Sequence, residues 1–196
     1  MRIVGGKWRG RTIESPDGRD VTRPTTDRTR EQIASMILSA CGLDLSDRSV
    51  LDAFAGSGAM GLELLSRGAA RATFVDRDRR AAARVRRSAE ALCAKPGEVT
   101  SLAGDVFSRV ERGLAGAPFD IVFLDPPYAL SAERVSGLVD QLAETGQLSG
   151  DAIIVYEHAA DAEGLACATA LNLVKSKRHG ITAVDLLVVP REEDPS

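Results

Sequence analysis

The chain has 196 residues, an apolar fraction of 44%, a charged fraction of 27% and a formal net charge of −3. That length suits one domain with a small appendage and a core that needs no covalent staples. No apolar run approaches the ~20 residues of a membrane helix, and the opening MRIVGGKWRG has no apolar stretch of the secretory kind. Cys41, Cys93 and Cys167 form no C-x-x-C pair, and His158 and His179 have no ligand spacing. Neither a disulfide framework nor a metal site is therefore expected, and the protein reads as cytoplasmic and monomeric.

Charge is unevenly distributed. Residues 1–30 carry eight basic and four acidic side chains, net +4, which leaves −7 for the remainder. Such an end either meets a polyanion or is simply solvated. Within it, Arg2–Val4 and Arg11–Glu14 read as extended pieces separated by glycines, a hairpin followed by a loop that Pro24 ends. On such a strand Lys7, Arg9 and Arg11 alternate onto one face, with Trp8 opposite and expected to be buried rather than free to stack on a base. From Asp27 to about Cys41, Ile33, Met36, Ile37 and Ala40 recur at helical spacing, with Thr26 or Asp27 as cap. Arg23, Thr26, Arg28 and Arg30 flank the entry to that helix and suit phosphate contacts that position RNA.

From Ser49 onward short apolar runs alternate with helical patterns. The runs are Val50–Phe54, Ala72–Val75, Val99–Leu102, Asp120–Leu124, Ala152–Tyr156, Leu171–Val174 and Ala183–Val189. Helical patterns cover Ala59–Ser66, Arg77–Cys93, Val106–Leu114, Ala132–Thr145 and Ala160–Ala166. This alternation predicts an α/β fold, a mostly parallel seven-stranded sheet with helices on both faces. The last two runs, with no helix between them, predict an antiparallel hairpin, and the whole is similar to Rossmann-like methyltransferases. The expected division is an N-terminal hairpin, loop and helix over 1–47, a cofactor-binding domain over 48–190, and a tail over 191–196. The arginines of 77–87 read as a solvated helix face.

Gly56-Ser57-Gly58-Ala59-Met60-Gly61 places G-x-G-x-x-G between the first strand and its helix, a weak signal alone. Asp52 at the strand end would repel a pyrophosphate but suits the ammonium of a methionine moiety. Asp52-x-Phe54-x-Gly56-x-Gly58 resembles the first motif of S-adenosylmethionine enzymes. Asp76, twenty positions after Gly56 and followed by Arg77, can accept from both hydroxyls of a ribose. In Gly104-Asp105-Val106, the same resemblance sets Asp105 toward the adenine amino group with Val106 beside it; helix capping is the competing role.

The apolar strand Asp120–Leu124 runs directly into Asp125-Pro126-Pro127-Tyr128. Two prolines have fixed φ and supply no N–H, so the loop is stiff and its carbonyls are free to accept. The amino group of a base is a poor nucleophile because its lone pair is delocalised into the ring. The Asp125 carboxylate and Pro126 carbonyl can hold its hydrogens and turn the lone pair toward a methyl donor, catalysis by positioning and electrostatics. Tyr128 offers a stacking surface. This tetrapeptide serves adenine N6, cytosine N4 and guanine N2 alike.

With the opening Met1–Arg11, the segment Arg23-Pro24-Thr25-Thr26-Asp27-Arg28-Thr29-Arg30-Glu31 and Glu63 after the glycine loop, the chain resembles the bacterial RsmD-type methyltransferases over nearly its whole length. The resemblance implies S-adenosylmethionine as cofactor and guanine N2 in 16S RNA of the small ribosomal subunit as target. Phe is at least as expected as Tyr at position 128, and both stack. An adenine-N6 methyltransferase of DNA or RNA shares every catalytic residue, and only the N-terminal resemblance argues against it. A nicotinamide oxidoreductase gives Asp52 and Asp-Pro-Pro-Tyr no role. A non-catalytic ribosome assembly factor is the remaining alternative. Glu157 and His158 end the fifth run without an assigned role, a structural hydrogen bond being expected, and Lys175–His179 read as a solvated turn.

Overall fold

The computed structural model describes residues 1–15 and 26–190. Arg23, Pro24 and the tail 191–196 lie outside them. Seven strands form one sheet: β1 (Ser49–Asp52), β2 (Arg71–Asp76), β3 (Val99–Ala103), β4 (Phe119–Leu124), β5 (Leu148–Ala159), β6 (Asn172–His179) and β7 (Thr182–Val188), in the order β3-β2-β1-β4-β5-β7-β6. Strands β1–β5 are parallel and β7 pairs antiparallel with both β5 and β6. The order reverses between β1 and β4, so the crevice at their carboxyl ends is where a ligand site is expected. None of the described helices is long and apolar enough to cross a membrane.

Alternation along the strands divides the core. Ile121, Phe123, Ile153 and Val155 face a cluster completed by α1 (Asp27–Ala40), α2 (Ala59–Ser66) and α3 (Arg79–Ala91). Val122, Leu124, Ile154 and Tyr156 face the opposite cluster, covered by α4 (Val106–Glu111) and α5 (Ala132–Glu144). In α3 the small residues Ala81, Ala82, Ser88 and Ala89 join Val85 on the buried side. The Thr26 hydroxyl caps α1, accepting from the Thr29 N–H at 3.2 Å.

The expected helix over Ala160–Ala166 does not form. The Ala160 N–H goes to the Ile181 carbonyl and the Ala166 N–H to Ser136 Oγ, while Asp140 takes those of Ala168 and Thr169 just beyond, so the segment is irregular chain tied to the β6–β7 turn and α5. Partners that satisfy the backbone from outside remove the need for helical bonds.

The N-terminal segment also departs from a plain hairpin. Arg2 and Thr12 form a single antiparallel bridge, and Gly6–Trp8 make a 3₁₀ turn at the tip. Lys7 and Trp8 therefore lie in a turn, and the alternating basic face expected of a strand is not formed. Gly6 has φ +74°, and a Cβ there would stand 1.9 Å from the Ser66 carbonyl oxygen. Trp8 is buried as expected, its N–H donating to Ser66 Oγ at 2.9 Å.

Glu63 holds this segment in place. Its fully buried carboxylate accepts from the N–H groups of Val4 and Gly5, both at 2.8 Å, and from Arg67 Nε at 2.8 Å. The buried Arg30 guanidinium lies 3.8 Å away. Removing one partner of a buried charged network leaves the other uncompensated, at a cost of roughly 3–5 kcal/mol. Glu63→Ala is accordingly expected to lose about that much stability, with residues 1–8 losing hydrogen-exchange protection first. Exchange that stays unchanged in this segment would disprove the clamp.

Candidate functional site

A cavity of about 850 Å³ opens at the carboxyl ends of the strands. That lies at the upper end of the ~300–1,000 Å³ range of small-molecule sites, with room for a nucleoside cofactor and a target base. From the first βα turn come Asp52, Phe54, Gly56 and Ser57; from the second, Asp76 and Arg77; from the third, Asp105 and Val106. Asp125, Pro126, Pro127 and Tyr128 line it from the end of β4. Sequence spacing had grouped these residues, and the fold brings them to one hollow.

Two glycines have a different task. Gly58 and Gly61 lie off the cavity wall; a Cβ at Gly58 would meet Val85 at 2.7 Å, and one at Gly61 would meet the Phe74 ring at 2.3 Å. They let α2 approach β2 and α3. The Gly61 N–H also donates to Asp52 at 3.1 Å. Asp76 accepts from Gly56 N–H at 2.7 Å and Asp78 N–H at 2.8 Å, so it shapes the glycine loop as well as facing the cavity. Asp105 both lines the cavity and caps α4, accepting from Ser108 N–H at 3.2 Å.

The basic residues expected to meet RNA separate into three kinds. Arg9 and Arg28 are exposed. Lys7, also exposed, sits 4.4 Å over the Trp8 ring and pairs with Glu98 at 2.9 Å, while Arg11 caps the end of α3 through the carbonyls of Ala91 and Leu92. Arg30 is 1% exposed, held by Asp27 at 2.8 Å and by the Arg2 carbonyl. That burial withholds it from an external phosphate, a correction to its reading as an RNA contact. Thr26 and Arg30 instead line the cavity. Arg23 lies outside the described residues.

Other wall residues were not anticipated: Met1, Thr29, Glu157 and the β6–β7 turn His179–Thr182. Met1 receives a hydrogen bond from the Ser57 hydroxyl at 3.6 Å to its sulfur. His158 makes the structural bond expected of it, with Nε2 3.2 Å from Asp185 and its ring stacked on Tyr156.

A family model described as "Conserved hypothetical protein 95" matches residues 1–188. The chain belongs to this family. It is 36% identical over 157 residues to Ribosomal RNA small subunit methyltransferase D of Escherichia coli K12, covering 80% of this chain and 74% of that protein. With the same-named protein of Haemophilus influenzae it shares 30% identity over 187 residues, covering 95% and 92%. The solved structure of the Escherichia coli protein yhhF superposes with a TM-score of 0.82 at 33% identity, covering 98% of this chain and 99% of that one. Methyl transfer from S-adenosylmethionine is the chemistry that this family and fold carry.

In this family member the wall residues fit that cofactor. Asp52 is 2% exposed, and burial pushes its carboxyl up to about 7; the Gly61 N–H lowers it, and the charges of Asp125 and Asp76 raise it further. A buried carboxylate of this kind needs a cationic partner, which an α-ammonium supplies. Asp125 is open to the cavity, yet enough protein surrounds its carboxyl for desolvation to push it up to about 6.

The sign for stability follows. An acid whose folded pKa is raised keeps its proton in the native state after the unfolded chain has released one. Stability therefore falls as pH rises from the ordinary carboxyl range, about 4, toward the value near 7 of Asp52. Asp52→Asn keeps an acceptor for Gly61 and removes the ionisation. Between pH 5 and 8 the thermal midpoint of the cofactor-free protein should fall less in Asp52→Asn than in the wild type; equal falls would refute the burial argument.

Proposed function

We propose that this protein transfers the methyl group of S-adenosylmethionine to the exocyclic N2 of a guanine in 16S RNA of the small ribosomal subunit. The observation that carries the reading is the Asp125–Tyr128 loop set in the same cavity as Asp52, Asp76 and Asp105. Asp52 would hold the ammonium of the cofactor, Asp76 its ribose and Asp105 its adenine, with Arg77 and Val106 alongside. When bound, the cofactor supplies a methyl group made electrophilic by the sulfonium.

The chain's own residues prepare the nucleophile. The Asp125 carboxylate and the Pro126 carbonyl each accept one hydrogen of the target amino group, which directs the nitrogen lone pair toward the methyl group. The N–C bond would form as the methyl C–S bond breaks, its electron pair leaving with sulfur as a neutral thioether. The excess proton on nitrogen passes to the Asp125 carboxylate, whose raised pKa suits it to that task. Tyr128, 64% exposed at the cavity mouth, provides the face on which an unstacked base rests. Arg9 and Arg28 contact phosphates and set the register, with Lys7 and Arg11 contributing from the segment that carries Arg9.

Purified protein given labelled cofactor and unmethylated small subunits should yield N2-methylguanosine. Asp125→Ala should abolish it, and Tyr128→Ala should weaken RNA binding by the ~1–3 kcal/mol of a base stack while leaving cofactor binding intact. Label found instead as N6-methyladenine would overturn the guanine reading and keep the mechanism. Arg9→Ala and Arg28→Ala should each reduce the slope of log K against log[salt] by about one while leaving the methylated base unchanged. Unaltered slopes would remove these residues from the RNA surface.

A further inference from the structure

The Asp-Pro-Pro-Tyr loop handles any base amino group, so the choice of base must come from another wall of the cavity. We propose that Glu157 makes that choice by accepting the ring N1–H of guanine, an inference that rests on the guanine-N2 reading above. Strands β4 and β5 are parallel with Phe123 opposite Val155 and Leu124 opposite Tyr156. Asp125 and Glu157 are the residues that follow, Asp125 one position past the end of β4. Phe123 and Val155, two residues earlier, point into the same core cluster, so continuing alternation sets Asp125 and Glu157 on one face of the sheet. Their backbones are then one strand apart, about 4.8 Å. Glu157 is 9% exposed and lines the cavity.

Other parts of the same cavity also leave polar atoms open to a ligand. Among the described residues, Arg30 Nη1 and His179 Nε2 are buried without a hydrogen-bond partner, and both residues line the same cavity. Buried polar atoms left open in this way are uncommon in folded proteins and mark places where a bound group completes the bonding.

The chemistry of the bases decides what fits beside Asp125. In guanine the C2 amino group lies between N1, which carries a hydrogen, and N3, which has a lone pair; only the N1 edge offers a donor beside the amino group. In adenine the atom next to the C6 amino group is N1 with a lone pair, and in cytosine the atom next to the C4 amino group is N3 with a lone pair. An ionised carboxylate only accepts hydrogen bonds. With Asp125 engaged at the amino group, Glu157 one strand away accepts N1–H from guanine but opposes a lone pair in adenine or cytosine. A site with a buried acceptor rejects a base lacking the matching donor far more strongly than an apolar wall would.

The test uses 2-aminopurine, which keeps the C2 amino group and has a lone pair at N1. Small subunits are reconstituted from ligated 16S RNA bearing guanine or 2-aminopurine at the position that the wild type methylates, and kcat/KM is measured for each. The wild type should favour guanine by ~100-fold or more, and Glu157→Gln, whose amide also donates, should cut that ratio to ~10-fold or less. Because the ratio is taken within one protein, it does not depend on the folded fraction; Glu157→Ala, with no acceptor, should lower it as well. Cofactor binding should be the same in all three. A ratio unchanged in both variants, with guanine methylated by the wild type, overturns the role of Glu157 alone. If the wild type methylates no guanine, the guanine reading falls and this inference with it.

Discussion

The Glu63 carboxylate sits where three parts of the chain meet, and the site depends on it. It collects the N–H groups of Val4 and Gly5, the Arg67 guanidinium and the neighbouring charge of Arg30. Through these bonds residues 1–8 and the start of α1 are fixed against α2, the helix that follows the glycine loop. Met1, Thr26, Thr29 and Arg30 can then form one wall of a cavity whose opposite walls are strand ends. Buried charge is costly unless it is paired and hydrogen-bonded, so the network sets geometry more than it adds stability.

A second constraint is electrostatic. Asp52, Asp76, Asp105, Asp125 and Glu157 all line one cavity. Desolvation pushes the Asp52 and Asp125 carboxyls up, and the charges of Asp125 and Asp76 add to the shift on Asp52. Such a hollow attracts a cationic ligand and hydrogen-bond donors: an ammonium, a sulfonium, ribose hydroxyls and the amino face of a base. Arg9 and Arg28, by contrast, are exposed outside the cavity, where basic groups are open to a polyanion. The division of charge along the chain thus matches two different tasks, one inside the cavity and one around it.

Much of the fold was legible because its signals are local. Alternating apolar runs and helical spacing fell close to the strands and helices observed, and the final pair of runs became the antiparallel β6–β7 hairpin. The helix expected over Ala160–Ala166 failed for a non-local reason: the Ile181 carbonyl takes the Ala160 N–H at one end, and Ser136, thirty residues earlier, takes the Ala166 N–H at the other. The strand expected to carry Lys7 and Trp8 became a turn because Gly6 must pass within contact of the Ser66 carbonyl. Neither event leaves a mark in a short window of residues.

The candidate site divides along the same line. Sequence alone determined the glycine loop, Asp52, Asp76, Asp105 and Asp125–Tyr128, because each lies at the end of an apolar run where a parallel sheet delivers its loops to one edge. It also determined the family, through stretches at both the N-terminus and the catalytic loop. Only the tertiary structure decided that Arg30 is buried, that Gly58 and Gly61 serve packing, and that Glu157 lines the same cavity as Asp125. Those outcomes depend on which distant backbone or side chain arrives next to a residue, and hydrophobic periodicity fixes the face a side chain takes but not the neighbour it meets there.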